Sequence, residues 1–159
     1  MKKYKEPQAL NSVAAFHHTF DAPVLDKPTI PSKDRCELRV NLLQEELNEL
    51  KQAIKDNDII EIADALADIQ YVLSGAVLEF GLADKFETLF NEVQRSNMSK
   101  ACATHKEAEA TQAKYQAKDG TQSFIKQKED KYLVYRVGDN KVLKSVAYSP
   151  ADLEGILEE

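Results

Sequence analysis

Apolar residues recur every three or four positions through the first hundred residues, which is the spacing of amphipathic helices. This spacing predicts four helices, at about residues 8–20, 33–55, 59–81 and 84–98. Ser32 is the expected cap of the second helix and Asp58 that of the third. The segment 21–34 holds three of the five prolines and is expected to be extended. Together the four helices predict a bundle.

The chain changes character after Met98. Residues 104–120 are polar and Ala-rich, which predicts a helix with little core of its own. The segments YLVYRV (132–137) and KVLKSV (141–146), joined by the turn GDN, predict a short β-hairpin. Ser149 and Pro150 are expected to begin a last helical turn that runs through Leu157. We therefore expect a mainly all-α protein with a helical domain at residues 1–103. Residues 104–159 are expected to form a C-terminal extension that packs on the bundle or on a partner subunit.

The apolar stripes of the second and third helices define their expected core faces. On the second helix, at about 100° per residue, the stripe consists of Leu43, Leu47, Leu50 and Ile54. On the third helix it consists of Ile59, Ile62, Leu66, Ile69 and Leu73. Residues 69–78 carry no charge on any side, which predicts that the third helix is buried at the centre.

Carboxylates border these stripes in two sets, with three- or four-residue spacings within each. The second helix carries Glu45, Glu46 and Glu49, and the third carries Glu61, Asp64 and Asp68. The turn at residues 56–58 is short, so the helices should be antiparallel neighbours with their acids face to face. Such a cluster repels itself unless cations fill it. Hard divalent ions that prefer oxygen ligands, Mg²⁺ above all and Mn²⁺ as a substitute, are the expected occupants, and they commonly hold phosphate-bearing substrates.

Two of these acids have an ordinary alternative interpretation. Glu45 fits a solvent-facing strip with intrahelical ion pairs, which is common on Glu-rich helices. Glu61 follows Asp58 by three residues and fits a capping box at the start of the third helix. Both alternatives stay open at the level of sequence.

Composition narrows the possible partners. The chain of 159 residues has 27 acidic and 21 basic residues and a net charge of −6, which disfavours binding to a nucleic acid polymer or an anionic membrane. No stretch approaches the roughly 18 to 20 apolar residues that span a bilayer, and the first residues lack the apolar segment of a secretion signal. We therefore expect a cytoplasmic protein. Cys36 and Cys102 are isolated, so neither a disulfide framework nor a zinc site is expected.

Three short motifs carry a family resemblance. The first is Glu45-Glu46-Leu47-Asn48-Glu49, the second is Glu61-Ile62-Ala63-Asp64 followed by ADIQYV with Asp68, and the third is EVQRSNMSK at residues 92–100. With these motifs, the stretch 38–100 resembles the all-α nucleoside triphosphate pyrophosphohydrolases of the MazG type, in its phage and bacterial branch. That superfamily also contains dimeric dUTPases and phosphoribosyl-ATP pyrophosphatases. Two registers of its second motif fit the chain, so all three acids of the third helix are retained.

The resemblance implies an activity and a set of roles. The activity is hydrolysis of a nucleoside triphosphate between the α and β phosphates, giving a monophosphate and pyrophosphate. Metal ligands would be Glu46, Glu49, Glu61, Asp64 and Asp68, and the general base Glu45 or Glu46. Expected substrate ligands are Arg39, Arg95 and Lys100 for phosphate, unless these residues only form ion pairs or lie at the surface. Asn97 is the expected ligand for a base edge, unless it merely ends its helix. A homodimer or tetramer is expected. Two other interpretations of the function stay open. One is hydrolysis of phosphoribosyl-ATP, and the other is a non-catalytic helical module that binds a metal or a partner.

Overall fold

The computed structural model describes residues 2–158, which form six helices and two strands. In chain order these are α1 (Ala9–Thr19), α2 (Lys33–Asp56), α3 (Ile59–Glu79), α4 (Ala83–Met98), α5 (His105–Asp119), β1 (Ser123–Lys128), β2 (Lys131–Arg136) and α6 (Leu153–Glu158). Helices make up 59% of the structure, and a small antiparallel hairpin lies in its C-terminal part. The expected mainly all-α class with a C-terminal hairpin is therefore confirmed.

The chain divides into two compact units, one up to Phe86 and one from Glu87 onwards. The division falls inside α4, whereas the sequence placed a domain boundary after residue 103; that boundary stays a prediction. Within residues 2–158, no single helix is long and apolar enough to cross a membrane, although α3 and α4 as a bent pair meet the criterion by length and composition only.

In the first unit, α3 is the central helix and packs against both α1 and α2. The turn between α2 and α3 is short, as predicted. Asn57 adopts a left-handed conformation with φ of 56°, and its N–H bonds the carbonyls of Ala53 and Ile54. Asp58 then caps α3, since its Oδ1 accepts from the backbone N–H groups of Ile60 at 2.9 Å and Glu61 at 3.2 Å. This short turn makes α2 and α3 antiparallel neighbours.

The core faces agree only in part with those that the apolar stripes predicted, because four members of the stripes are half-buried and the others are exposed. The half-buried members are Leu43, Leu50, Ile62 and Ile69. Ile54 is 59% exposed, Ile59 73% and Leu66 52%. Other members of the stripes, Leu47 and Leu73, are exposed too. The buried side of the helix pair carries small residues instead, among them Ala53, Ala65, Ser74 and Gly75. Small side chains let two helices approach closely, so the larger Leu and Ile residues are displaced to the outer flanks of the contact.

Gly81 follows α3 and allows the proline-rich segment to pack closely against the end of that helix. The backbone of that segment bonds the end of α3, from Leu25 N–H to Leu78 O and from Thr29 N–H to Phe80 O, both at 3.0 Å. Gly81 has a φ of +66°, and a Cβ on it would overlap the backbone carbonyl of Lys27. Both its conformation and its surroundings therefore require glycine.

Gly81→Ala is expected to lower the free energy of unfolding by at least about 2 kcal/mol, because the substitution adds backbone strain and displaces the segment at Lys27. The measurement is urea unfolding followed by circular dichroism. Gly120→Ala is a matched control, since Gly120 also has a positive φ of +72° but no atom lies within 4 Å of an added Cβ. The control should cost only about 1 kcal/mol. Equal losses in the two variants would show that the Lys27 contact is unimportant.

The hairpin of the second unit uses a different first strand from the predicted one. β1 pairs with β2 from Ser123↔Arg136 to Lys128↔Lys131. The segment YLVYRV does form β2, but KVLKSV forms no strand and contributes only an isolated bridge between Val142 and Tyr135. The predicted pairing was therefore wrong. Glu129, with a φ of 54°, supplies the turn, and the many polar residues of β1 concealed it from the apolar pattern.

The hydrophobic core of the second unit consists of Cys102, Ala108, Val134 and Leu143. The last helix begins at Leu153, not at Pro150 as predicted. Asp152 acts at its start, where Oδ1 accepts from the Gly155 N–H at 3.0 Å. Ser149 is held elsewhere, because its backbone N–H donates to Ser99 Oγ at 3.0 Å.

Candidate active site

Glu46 lies at the centre of the acidic residues of α2 and α3. Its pKa is raised, first by burial and then by the negative charges of four neighbouring carboxylates, Glu49, Asp68, Glu45 and Asp64. Its Oε2 atom is buried and has no hydrogen-bond partner within the described part of the chain. An unpaired buried carboxylate oxygen among like charges is unfavourable, so this position calls for a cation or a proton.

The six predicted carboxylates are not equivalent. Glu46 and Asp68 are half-buried, whereas Glu45, Glu49, Glu61 and Asp64 are exposed. Glu61 is also absent from the charges that raise the pKa of Glu46, and its backbone N–H donates to the capping carboxylate of Asp58. Five of the six acids therefore share one electrostatic environment. Glu61 lies outside it, near the start of α3.

The ligand chemistry of this cluster fits a hard divalent cation. All its donors are carboxylate oxygens, which Mg²⁺ and Mn²⁺ prefer, and the Oε2 of Glu46 lacks a partner. As the side chains stand, no three His, Cys, Asp or Glu groups among residues 2–158 are close enough together to hold a metal ion. Joint coordination would thus require rotation of these side chains between staggered rotamers.

Arg39, which the sequence assigned to phosphate binding, is buried in the first unit. Its Nε donates to Glu79 Oε2, and its Nη2 lies 3.2 Å from His17 Nε2. Glu79 also accepts from Arg35. Burial would raise the pKa of Glu79, but the hydrogen bonds and charges of Arg35 and Arg39 lower it, so the carboxylate is ionised. The role of Arg39 in phosphate binding stays a prediction.

Sequence reasoning missed Glu79 and His17. A signal was present for Glu79, because it is the first charge after the uncharged run at residues 69–78 of a helix expected to be buried. An acid at the end of such a run needs a partner. Arg35 and Arg39, four residues apart on the neighbouring helix, are suitable partners.

The other expected substrate ligands lie at the end of α4 and just beyond it, in the second unit. Arg95 binds both oxygens of Glu92, at 2.8 and 2.7 Å, and the carbonyl of Pro150 at 2.8 Å. The bond from Arg95, together with the backbone N–H of Asp152, lowers the pKa of Glu92 to about 2. Lys100 Nζ donates to Asn97 Oδ1 at 2.7 Å. These polar side chains all face solvent at least in part, and their contact with substrate stays a prediction.

Comparison with known proteins gives two matches. The family model described as phosphoribosyl-ATP pyrophosphohydrolase matches residues 13–97, more than half of the 159 residues. This range contains α2 and α3 completely, and with them all six carboxylates. An uncharacterised protein of Acanthamoeba polyphaga mimivirus is 35% identical over 75 residues, which are 45% of this chain and 30% of the viral protein. The chain thus spans less than a third of that relative.

Proposed function

Because the chain belongs to the phosphoribosyl-ATP pyrophosphohydrolase family, part of the MazG-like nucleoside triphosphate pyrophosphatase superfamily, we propose that it hydrolyses nucleoside triphosphates to monophosphates and pyrophosphate with Mg²⁺. The family supports a pyrophosphohydrolase-type activity. The observation that carries the metal-dependent form of this proposal is the buried, unpartnered Oε2 of Glu46 among four other carboxylates. A triphosphate is polyanionic, so this cluster can approach it only through a cation.

The carboxylates have different roles in the proposed reaction. Glu46, Glu49, Asp64 and Asp68 would hold the ion, and Glu61 would join them only if its side chain turned toward the cluster. When bound, Mg²⁺ neutralises phosphate oxygens and acidifies a water molecule. A carboxylate that is not fully committed to the metal, Glu45 or Glu46, serves as the general base. The raised pKa of Glu46 suits that task, because a base works best when its pKa approaches the working pH.

The phosphate ligands proposed at the end of α4 are Arg95 and Lys100, with Asn97 as a reader of the base edge. Arg95 forms a bidentate hydrogen bond to Glu92, and it would exchange this bond for one to phosphate oxygens. Lys100 would exchange its bond to Asn97 for one to a phosphate oxygen. A second candidate substrate is phosphoribosyl-ATP, which the description of the matching family model names.

The test is a panel of nucleoside triphosphates and phosphoribosyl-ATP assayed with Mg²⁺ or Mn²⁺, in water labelled with ¹⁸O. Pyrophosphate and a monophosphate are expected together, and the position of the label identifies the phosphorus atom that water attacks. Orthophosphate with a nucleoside diphosphate as first products would contradict the mechanism. No hydrolysis of any substrate, with metal still bound, would favour the non-catalytic module instead.

We also propose that the chain assembles as a homodimer or as a tetramer of dimers. Large apolar side chains are exposed on the α2–α3 pair, including Val40 at 64% and Ile60 at 75%. Ile54, Ile59 and Leu66 add to this exposed apolar surface. Exposed apolar side chains of this kind commonly mark a protein interface, and symmetric pairing covers them on both copies at once. Multi-angle light scattering at micromolar concentration should give at least twice the mass of 17.9 kDa, and a monomeric mass would contradict the proposal.

A further inference from the structure

Glu79 is the largest fully buried side chain of the described residues, at 1% exposure. It lies at the last position of α3, and its two oxygens bind two different arginines of α2. Oε1 accepts from Arg35 Nε and Oε2 from Arg39 Nε. Because the arginines are four residues apart, they project from the same side of α2 and grip the carboxylate from two adjacent turns. These two ion pairs fix both the axial position and the rotation of α2 relative to α3.

His17 extends the same contact to α1. Its Nδ1 lies 2.8 Å from the carbonyl oxygen of Pro23, which can only accept, so Nδ1 carries the proton. Nε2 is then the acceptor for Arg39 Nη2 at 3.2 Å. We call Arg35, Arg39, Glu79 and His17 the Glu79 cluster. His17 and Arg39 are both buried, so the cluster forms part of the core of the first unit.

Gly75 leaves the space in which Arg39 crosses α3. A Cβ at this position would lie 2.6 Å from Arg39 Nη1 and 3.1 Å from His17 Nε2. Arg39 therefore lies directly against the α3 backbone at Gly75. This close approach defines the pairing of the two helices at one point.

The acidic cluster follows from the same pairing two turns away. Glu46 is seven residues after Arg39 on α2, and Asp68 is seven residues before Gly75 on the antiparallel α3. Seven residues make nearly two full turns and about 10 Å of helix, so both acids return to the shared side of their helices. The charge of Asp68 does reach Glu46, since it is one of the causes of the raised pKa. A slip of one residue would rotate each side chain by about 100° and separate this pair.

We infer that Arg39 is a positioning residue: through Glu79 and Gly75 it sets the register of α2 against α3 and thereby holds Glu46 opposite Asp68. The inference rests on the proposed function for its consequence, which is a carboxylate cluster preformed for a divalent cation. Arg39 then acts on the metal site without contacting substrate. This differs from the phosphate-binding role that the sequence assigned to it.

The test is Mn²⁺ binding measured by electron paramagnetic resonance without nucleotide, in the full chain. The main variant is R39M with E79L, which replaces the two buried ionic side chains by apolar side chains of similar length and leaves the partly exposed Arg35 to be solvated by water. Such replacements commonly keep or raise stability, so the variant should stay folded. Its Kd for Mn²⁺ should rise about tenfold or more, as when groups that orient metal ligands are lost. The control is K51M, an exposed lysine on the same helix, which should leave the Kd unchanged.

A second variant covers the case in which the double variant does not fold. Gly75→Ala removes no charge and no hydrogen-bonding group, but its Cβ displaces Arg39, so it should also weaken Mn²⁺ binding. Wild-type Mn²⁺ affinity in either folded variant would overturn the inference. A raised KM for nucleotide with unchanged Mn²⁺ affinity would show that Arg39 binds phosphate instead.

Failure of the inference can be distinguished from failure of the proposed function. If the unaltered chain bound no Mn²⁺ and hydrolysed no nucleotide, the proposed function would be wrong. The register of α2 against α3 would then be tested through melting temperatures measured without metal. E46Q should raise the melting temperature only where Glu46 and Asp68 face each other, because only there does it relieve their repulsion. The gain from E46Q should vanish in the R39M and E79L background, and an undiminished gain would overturn the inference.

Discussion

Replacing Glu49 by Gln or Asp68 by Asn is expected to lower turnover by at least about a hundredfold while the protein stays folded. Each change removes one negative oxygen that the proposed site offers to a divalent cation. The amide keeps the size of the side chain, so the packing of α2 and α3 should not change. Both acids contribute to the raised pKa of Glu46, which shows that they lie near it. Steady-state hydrolysis of the best substrate of the panel under saturating Mg²⁺ measures the effect.

Glu37→Gln is the matched control for these two variants. Glu37 is an exposed acid of the same helix α2, paired with Lys33 at 3.5 Å, and it does not influence Glu46. An exposed pair of this kind contributes little to stability, so turnover and melting temperature should both stay close to those of the unaltered chain. If the Glu49 and Asp68 variants kept the unaltered rate as well, the assignment of the metal ligands would be wrong.

Local sequence signals predicted the helices well. The N-cap of α3 and the short turn before it could be predicted, because Asp58 satisfies backbone groups only two and three residues away. The same turn implied that α2 and α3 are antiparallel, and so that their acids meet. The clustering of Glu46 with Asp64 and Asp68 followed from this turn together with the spacing of the acids along each helix.

Signals that depend on partners distant in sequence were missed. The apolar stripes placed the faces with large Leu and Ile side chains in the core. Close packing at Ala53, Ala65 and Gly75 instead determined which face is buried. The strand β1 has too few apolar residues to stand out, and its pairing with β2 becomes visible only in the register. The Glu79 cluster joins residues 40 and 44 positions apart, so the local pattern could indicate that Glu79 needs a partner but could not identify that partner.

Glu46→Gln is expected to lower turnover and, without metal, to raise the melting temperature near neutral pH. The folded state raises the pKa of Glu46, so the folded chain binds the proton more tightly than the unfolded chain does. The contribution of Glu46 to the free energy of unfolding is therefore most favourable below the ordinary pKa of a Glu side chain. This contribution falls as the pH rises through the raised pKa. Above that value the ionised carboxylate destabilises the fold, and the neutral amide removes this penalty.

The gain from Glu46→Gln should consequently disappear at acidic pH, where Glu46 is protonated in both states. Melting curves from about pH 4 to pH 8, recorded in the presence of a chelator, measure this dependence. Glu61→Gln serves as the comparison, because Glu61 does not contribute to the raised pKa of Glu46 and should show no such gain. Kinetically, Glu46→Gln should reduce kcat far more than it raises KM, since a metal ligand or base acts mainly in the transition state. A gain that persisted at acidic pH would exclude charge repulsion as its cause, and an unchanged kcat would remove Glu46 from the reaction.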